Sequence, residues 1–214
     1  MQHGEFRDGT FLLDKGSEAL KIVLMSRTGI LPEADFYCPI PYEPLSVLTE
    51  SVLEAEIAKG SDGLLDRIFA LMVKELELAD PAWCEKISLR MQTADSLREA
   101  WFEDRKQHGP FTWAEENLNE VERNKRDRRT VAWRYTVLRL HEVVQEMVPH
   151  LTEEDAERFK NGLARVFIDN YAAIPPQSIR RLLALREAGI ISVVALGDDY
   201  TLDIGSAQTV IATK

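Results

Sequence analysis

Ser26 and Arg27 close a largely apolar run, Leu20 to Met25, and are followed by Thr28, Gly29 and, a few residues on, Pro32. A guanidinium at the end of a strand can clasp a phosphate through paired charge-assisted hydrogen bonds, and an adjacent hydroxyl can add another. In dinucleotide-binding folds the residue ending the second strand meets the adenosine ribose or its 2′-phosphate, and a basic residue there favours NADP(H) over NAD(H). The same folds place a glycine-rich pyrophosphate loop ahead of that strand. Here only eighteen residues precede Ala19-Leu20, and none of the eleven glycines belongs to a GxG. A surface arginine after a strand is also common, so Ser26 and Arg27 gain meaning only from context.

Other groups carry weaker signals. Arg123, Lys125, Arg126, Arg128 and Arg129 form the densest basic run. They could meet a phosphate-bearing ligand or an acidic neighbour, or they could be a solvated helix end whose cations oppose the negative end of the helix dipole. Acidic Glu115, Glu116, Glu120 and Glu122 just upstream favour the helix end. His141-Glu142-Val143-Val144-Gln145 has the outline of the HExxH zinc helix, but Gln145 stands where the second imidazole must be, and His3, His108 and His150 have no ligand spacing. No metal is expected. Phe36, Tyr37 and Tyr42, in an extended Pro-rich loop, could cover a flavin or nicotinamide ring or could clamp that loop to its own helices. Asp169, Asn170 and Tyr171 precede Ile174-Pro175-Pro176 and offer hydrogen bonds at a junction, or simple punctuation. Cys38 and Cys84 lack CxxC spacing and read as small, inert residues. There is no GxSxG elbow and no Ser-His-Asp set above chance.

The elements that must position these groups fall into a helical middle and strand-like ends. Leu64, Leu65, Ile68, Leu71, Met72 and Leu76 recur at helical spacing, and Asp80-Pro81 stops the run. Asp95 is placed to cap a helix carrying Leu97, Trp101 and Phe102, which Gly109-Pro110 ends. Thr112 to Glu115 and Thr152 to Asp155 read as capping boxes. Val137, Leu140, Val144, Met147 and Val148 line a further helix, so about five helices are expected in a row. Leu20 to Met25 and Ile190 to Leu196 are short, apolar and rich in branched residues, the character of strands in one sheet. Tyr200 to Ile204 and Thr209 to Ala212 suit a hairpin across Gly205-Ser206.

Composition narrows the setting. The 214 residues carry a net charge of -10 and 45% hydrophobic residues, enough for a core and adverse to general nucleic-acid binding. The longest apolar runs fall far short of the ~20 residues that span a bilayer, so neither a membrane nor a nucleic-acid partner is expected, and the cytoplasm is the expected location.

Three stretches carry a specific resemblance: "LMSRTGILPEADFYCPIPYEPL", "VERNKRDRRTVAWRY" and "GLARVFIDNYAAIPPQSIRRLLALREAGII". Through them the chain resembles the central part of the YdhS-like FAD/NAD(P)-binding proteins, a flavoprotein oxidoreductase-like family, and the likeness runs across essentially its whole length. Those proteins are about twice as long and carry their glycine fingerprints upstream. The resemblance implies that FAD and NAD(P) are cofactors of the intact parent, that Ser26 and Arg27 touch the pyridine nucleotide, and that this portion alone holds neither. Asp169 to Ile174 departs from more distant relatives, which carry His and Arg there, so no role of those residues transfers.

The expected fold is α+β, mainly α: a helical insertion block, 46–188, packed on a small Rossmann-like partial sheet from 1–45 and 189–214. The first residues are expected to be the tail of a helix. Missing flanking segments of the parent are the expected partners, with homodimerisation possible through exposed strand edges. The competing reading is a helical protein-interaction module without catalytic activity.

Overall fold

The computed structural model describes residues 3–36, 43–205 and 209–213. In chain order its strands and helices are β1 (Gly4–Arg7), β2 (Thr10–Leu13), β3 (Ile22–Ser26), α1 (Glu50–Ala58), α2 (Leu64–Ala79), α3 (Pro81–Lys86), α4 (Leu97–Gln107), α5 (Pro110–Arg126) and α6 (Ala132–Gln145). There follow α7 (Glu153–Asn161), α8 (Leu163–Tyr171), α9 (Pro176–Glu187), β4 (Ile191–Ala195), β5 (Tyr200–Ile204) and β6 (Thr209–Thr213). Helix dominates the described residues, and the strands pair two by two near the chain ends, an α+β fold that is mainly α. Two compact units divide the chain. One comprises Met1–Ala34, Arg105–Glu120 and Ile174–Lys214; the other comprises Asp35–Asp104 and Val121–Ala173.

In the first unit the residues expected to be a helix tail form a hairpin instead, with Gly4 opposite Leu13 and Arg7 opposite Thr10. Asp8 and Gly9 both take positive φ, 49° and 84°, the requirement of a two-residue turn whose twist matches the flanking strands. Asp-Gly between GEFR and TFLL is the local signal that decides this, and Phe6 packs on Phe11 with ring centroids 4.8 Å apart. β3 and β4 lie side by side as a parallel pair, Ile22 opposite Ile191 through Ser26 opposite Ala195. The two apolar runs from opposite ends of the chain therefore do meet in one sheet. β5 and β6 form the expected antiparallel hairpin as a separate pair.

α9 starts at Pro176, where a missing N–H costs nothing, and is closed just past Glu187 by Gly189, whose φ of +69° lets Gly189 and Ile190 donate to the Arg186 and Leu185 carbonyls. Its Ala184 and Leu185 bury against Phe11, Leu13, Leu20, Ile22 and Ile190. α5 begins at Pro110, not at Thr112: the Trp113 amide already donates to Gly109 O, so proline occupies the first turn and Thr112 is no cap. Glu33 and Arg105 form a buried ion pair at 3.3 Å, and Asn117 Oδ1 accepts the Ala34 amide at 2.8 Å.

The second unit holds the larger core. Leu64, Leu65, Ile68, Met72 and Leu76 of α2 are buried with Val137, Leu140 and Val144 of α6 and Leu163, Val166 and Phe167 of α8. More helices form than the five expected, and three of the short ones start where a side chain caps an amide. Thr49 accepts from Val52 N at α1, Asp80 from Trp83 N at α3, and Thr152 from Asp155 N at α7, the last as its capping pattern predicts. Asp95 does not cap α4. Thr93 Oγ1 accepts the Ser96 amide instead, and the Asp95 carboxylate is taken by Arg158.

Arg158 on α7 joins three carboxylates: Asp66 at 2.8 Å, Asp95 at 2.7 Å and Asp155 at 2.7 Å. Hydrogen bonding to Arg158 holds the Asp95 carboxyl below its usual range, so its contribution to stability is full above about pH 4 and is lost as the pH falls through the lowered value. Arg158→Ala is expected to cost about 1–2 kcal/mol at pH 7, since Asp66 and Asp95 are half exposed and screened. Denaturant titrations of both proteins from pH 7 to pH 2 should show the difference shrinking below pH 4; a constant difference would contradict this assignment.

Candidate functional site

The candidate nucleotide-contacting pair sits at the carboxyl end of β3, beside the same end of β4. In parallel sheets that end is where ligands bind. Ser26 and Arg27 extend the pairing past the strands, with Ser26 O accepting from Leu196 N at 2.8 Å and Arg27 O from Gly197 N at 3.0 Å. The turn after them is fixed by Gly29 at φ +67°, where a Cβ would lie 2.9 Å from the Ala195 Cβ. Gly29 N donates to Ser26 Oγ at 2.9 Å, which orients the hydroxyl and leaves its hydrogen able to donate elsewhere. The Arg27 guanidinium is half exposed. Its Nη1 stands 3.7 Å from Asp198 Oδ1, an ion pair too long for a hydrogen bond and 91% exposed on the carboxylate side. Such a contact is weak, and an anion carrying two charges can displace it.

Asp169, Asn170 and Tyr171 lie on α8 in the second unit and have separate tasks. Asp169 Oδ2 accepts the Trp101 indole N–H at 2.7 Å. Asn170, 1% exposed, donates to Arg134 O at 3.2 Å. Arg134 itself is buried, its guanidinium 4.4 Å from the Trp133 ring and 5.6 Å from the Phe36 ring. Burial pushes it down to about 10, opposed by the charge of Asp169. Trp133 stacks on Trp83 at 4.4 Å, and Trp101 meets both edge-on. Tyr135 Oη accepts the Glu43 amide, and Arg139 donates to the Glu43 and Pro44 carbonyls. Phe36 thus packs against α6, as a loop clamp does; Tyr37, Cys38 and Tyr42 lie outside the described residues.

This tryptophan and arginine cluster was not legible as a unit. Trp83, Trp101, Trp133 and Arg134 come from three helices, and no local spacing links them. The remaining candidates resolve simply. α5 ends at Arg126 with Arg123 and Lys125 in its last turn, so these cations sit at the negative end of the dipole. His141 Nε2 meets the Gln145 amide nitrogen at 2.8 Å, one helical turn apart. Cys84 is buried, and desolvation pushes its thiol up to about 11, which makes it a poor nucleophile. Among the described residues no group of three or more His, Cys, Asp or Glu gathers to hold a metal, and no helix is long and apolar enough to cross a membrane.

Comparison with known proteins adds a family and a relative. The sequence profile of YdhS-like middle domains matches residues 49–171. The uncharacterised protein YdhS of Escherichia coli (strain K12) is 61% identical over 219 aligned residues, which cover all of this chain and 41% of that protein. The chain therefore spans about two fifths of this relative's length. No solved structure matches the chain.

Proposed function

The chain belongs to the family of YdhS-like middle domains, and from that premise we propose that it is the central portion of an FAD/NAD(P)-dependent oxidoreductase of the cytoplasm. In this reading residues 1–45 and 189–214 supply part of the pyridine-nucleotide sheet, and residues 46–188 are a helical insertion. One observation carries it: a serine and an accessible arginine stand together at the carboxyl end of a parallel strand pair.

The residues fit a 2′-phosphate. The Arg27 guanidinium presents a fork of N–H donors beside a loose carboxylate, and the Ser26 hydroxyl, held by Gly29, presents one more. They do not fit a pyrophosphate, whose glycine cradle has no counterpart among the GxG-free glycines, so the flavin and the bulk of the dinucleotide are assigned to other parts of the whole protein. When bound, flavin and nicotinamide supply hydride transfer; this chain orients one edge of the nucleotide.

The flanking segments of the whole protein are also the proposed partners of the parallel pair. Val23, Met25 and Val194 on it are 40–48% exposed, whereas parallel sheets are ordinarily covered on both faces and a lone two-stranded sheet is marginal. Without those segments the same edges would invite a second copy to pair.

Arg27→Ala in the full-length protein is expected to weaken NADPH binding by about 1.5–3 kcal/mol, the range for hydrogen bonds to a charged group, and to leave NADH nearly unchanged. Paired equilibrium titrations decide it. Equal losses for the two nucleotides, or none, would remove the 2′-phosphate assignment.

A further inference from the structure

The second unit contains a cavity of about 450 Å³ between α6, the turn at Val148–His150, α7 and α8. Its walls are His141, Gln145, Phe159, Phe167 and Tyr171, with Val148, Pro149, Ala164 and Ile168 filling the gaps. Three ring contacts shape it. His141 lies 5.0 Å from Tyr171 and 5.3 Å from Phe167, tilted by 42° and 50°, and Phe159 lies 6.5 Å from Phe167 at 43°. The rings are neither stacked flat nor closed on one another, so they wall a space of the size that small-molecule sites occupy. Ile168 and Tyr171 are 42% and 51% exposed.

The polar groups at this space are His141 and Gln145, one turn apart on α6, and the phenol of Tyr171 on α8. Burial lowers the affinity of the His141 ring for its second proton, although Glu142 opposes this. A neutral ring accepts the Gln145 amide hydrogen at Nε2 and leaves Nδ1 as the protonated nitrogen. In that arrangement the ring carries no charge that would demand a counter-ion. An uncharged, open cleft walled by four rings suits a flat ring system better than a saturated one, because ring faces and edges gain quadrupolar contacts beyond area burial.

We infer that this cavity is a binding site for a small, uncharged planar aromatic molecule of one or two rings with one polar edge, which His141 and Gln145 would meet. All of its lining residues lie within 141–171, inside the portion that the YdhS-like profile matches, and remote in sequence from Ser26 and Arg27. The site does not rest on the nucleotide reading, and the two can fail separately.

The test titrates the isotope-labelled full chain with indole, and with cyclohexanol as a saturated comparison, following backbone amide signals. Indole is expected to give saturable shifts confined to 141–148 and 159–171, with half-saturation about tenfold below that of cyclohexanol. Ala164→Trp, which fills the cavity from α8, should raise the indole half-saturation at least tenfold. Ile168→Trp does the same at an exposed position and serves if the first variant does not fold. Shifts elsewhere, an indole response indifferent to both substitutions, or equal binding of cyclohexanol would overturn the assignment, the last marking a generic apolar groove of the kind that receives a peptide segment.

Discussion

Replacing Glu75 by alanine is expected to destabilise the chain by about 3–4 kcal/mol. Glu75 is an α2 residue, 4% exposed, embedded among Phe69, Met72 and Leu76 of the same helix. Its Oε1 accepts the Ser46 amide at 2.9 Å, and its Oε2 accepts those of Val47 and Leu48 at 2.5 and 3.0 Å. One carboxylate thus satisfies three successive backbone donors ahead of α1, and Leu45 and Leu48 are buried as a result. Charge-assisted bonds are the strong ones, and removing their acceptor leaves amides partly shut off from water. Glu75→Gln should recover only part of the loss, because one of its two terminal atoms becomes a donor facing donors. Urea unfolding at pH 7 measures both variants, with a lowered midpoint at unchanged slope as the signature. A Glu75→Ala midpoint corresponding to less than about 1 kcal/mol would mean that water replaces the carboxylate freely.

Gly162→Ala is expected to cost about 3 kcal/mol for a different reason. Gly162 joins α7 to α8 at φ -102°, ψ -98°, and donates its amide to Arg158 O. A Cβ there would lie 2.5 Å from Ala94 O and 3.1 Å from Arg158 O. Both are backbone atoms, so no rotamer change relieves the overlap; the chain around Ala94, itself fully buried, would have to move. Gly60→Ala provides the comparison. Gly60 takes φ +99° with nothing within 4 Å of a Cβ, so it tests backbone conformation alone and should cost about 1–2 kcal/mol. Calorimetric or urea unfolding of the pair distinguishes the causes, and similar losses at the two positions would refute the steric account of Gly162.

The contrast between these residues explains which parts of the architecture a reader of the sequence can find. Apolar spacing on α2 and α6 and the branched runs that become β3 and β4 report local periodicity, and burial follows the period, so they are legible. Asp8-Gly9 was legible in principle, since its turn chemistry lies within two residues, but an expected continuation from an upstream helix obscured it. At Thr112 the capping pattern competes with Pro110, and proline wins because it fits the first helical turn without needing a donor. The role of Glu75 is not legible, and that of Asp95 reads as a helix cap where the structure gives it to a distant guanidinium. Their partners are 27 to 29 and 63 residues away, and a carboxylate carries no local mark of the amides or guanidinium it will meet. The same limit applies at the candidate site. Ser26 and Arg27 can be picked from their strand, but the Gly197 turn and Asp198 beside them come from the opposite end of the chain.

That convergence of distant segments dictates an order of assembly. Lys21 Nζ donates to Gly189 O across 168 residues, next to the β3–β4 register. Closing so long a loop costs conformational entropy before any of its contacts form, whereas α2, α6 and α8 can nucleate among nearer neighbours. The parallel pair is therefore expected to form late in folding and to open early, and its amides should exchange with solvent faster than those of α2. During synthesis β3 must wait for this partner until Ile191–Ala195, far along the chain, have been made.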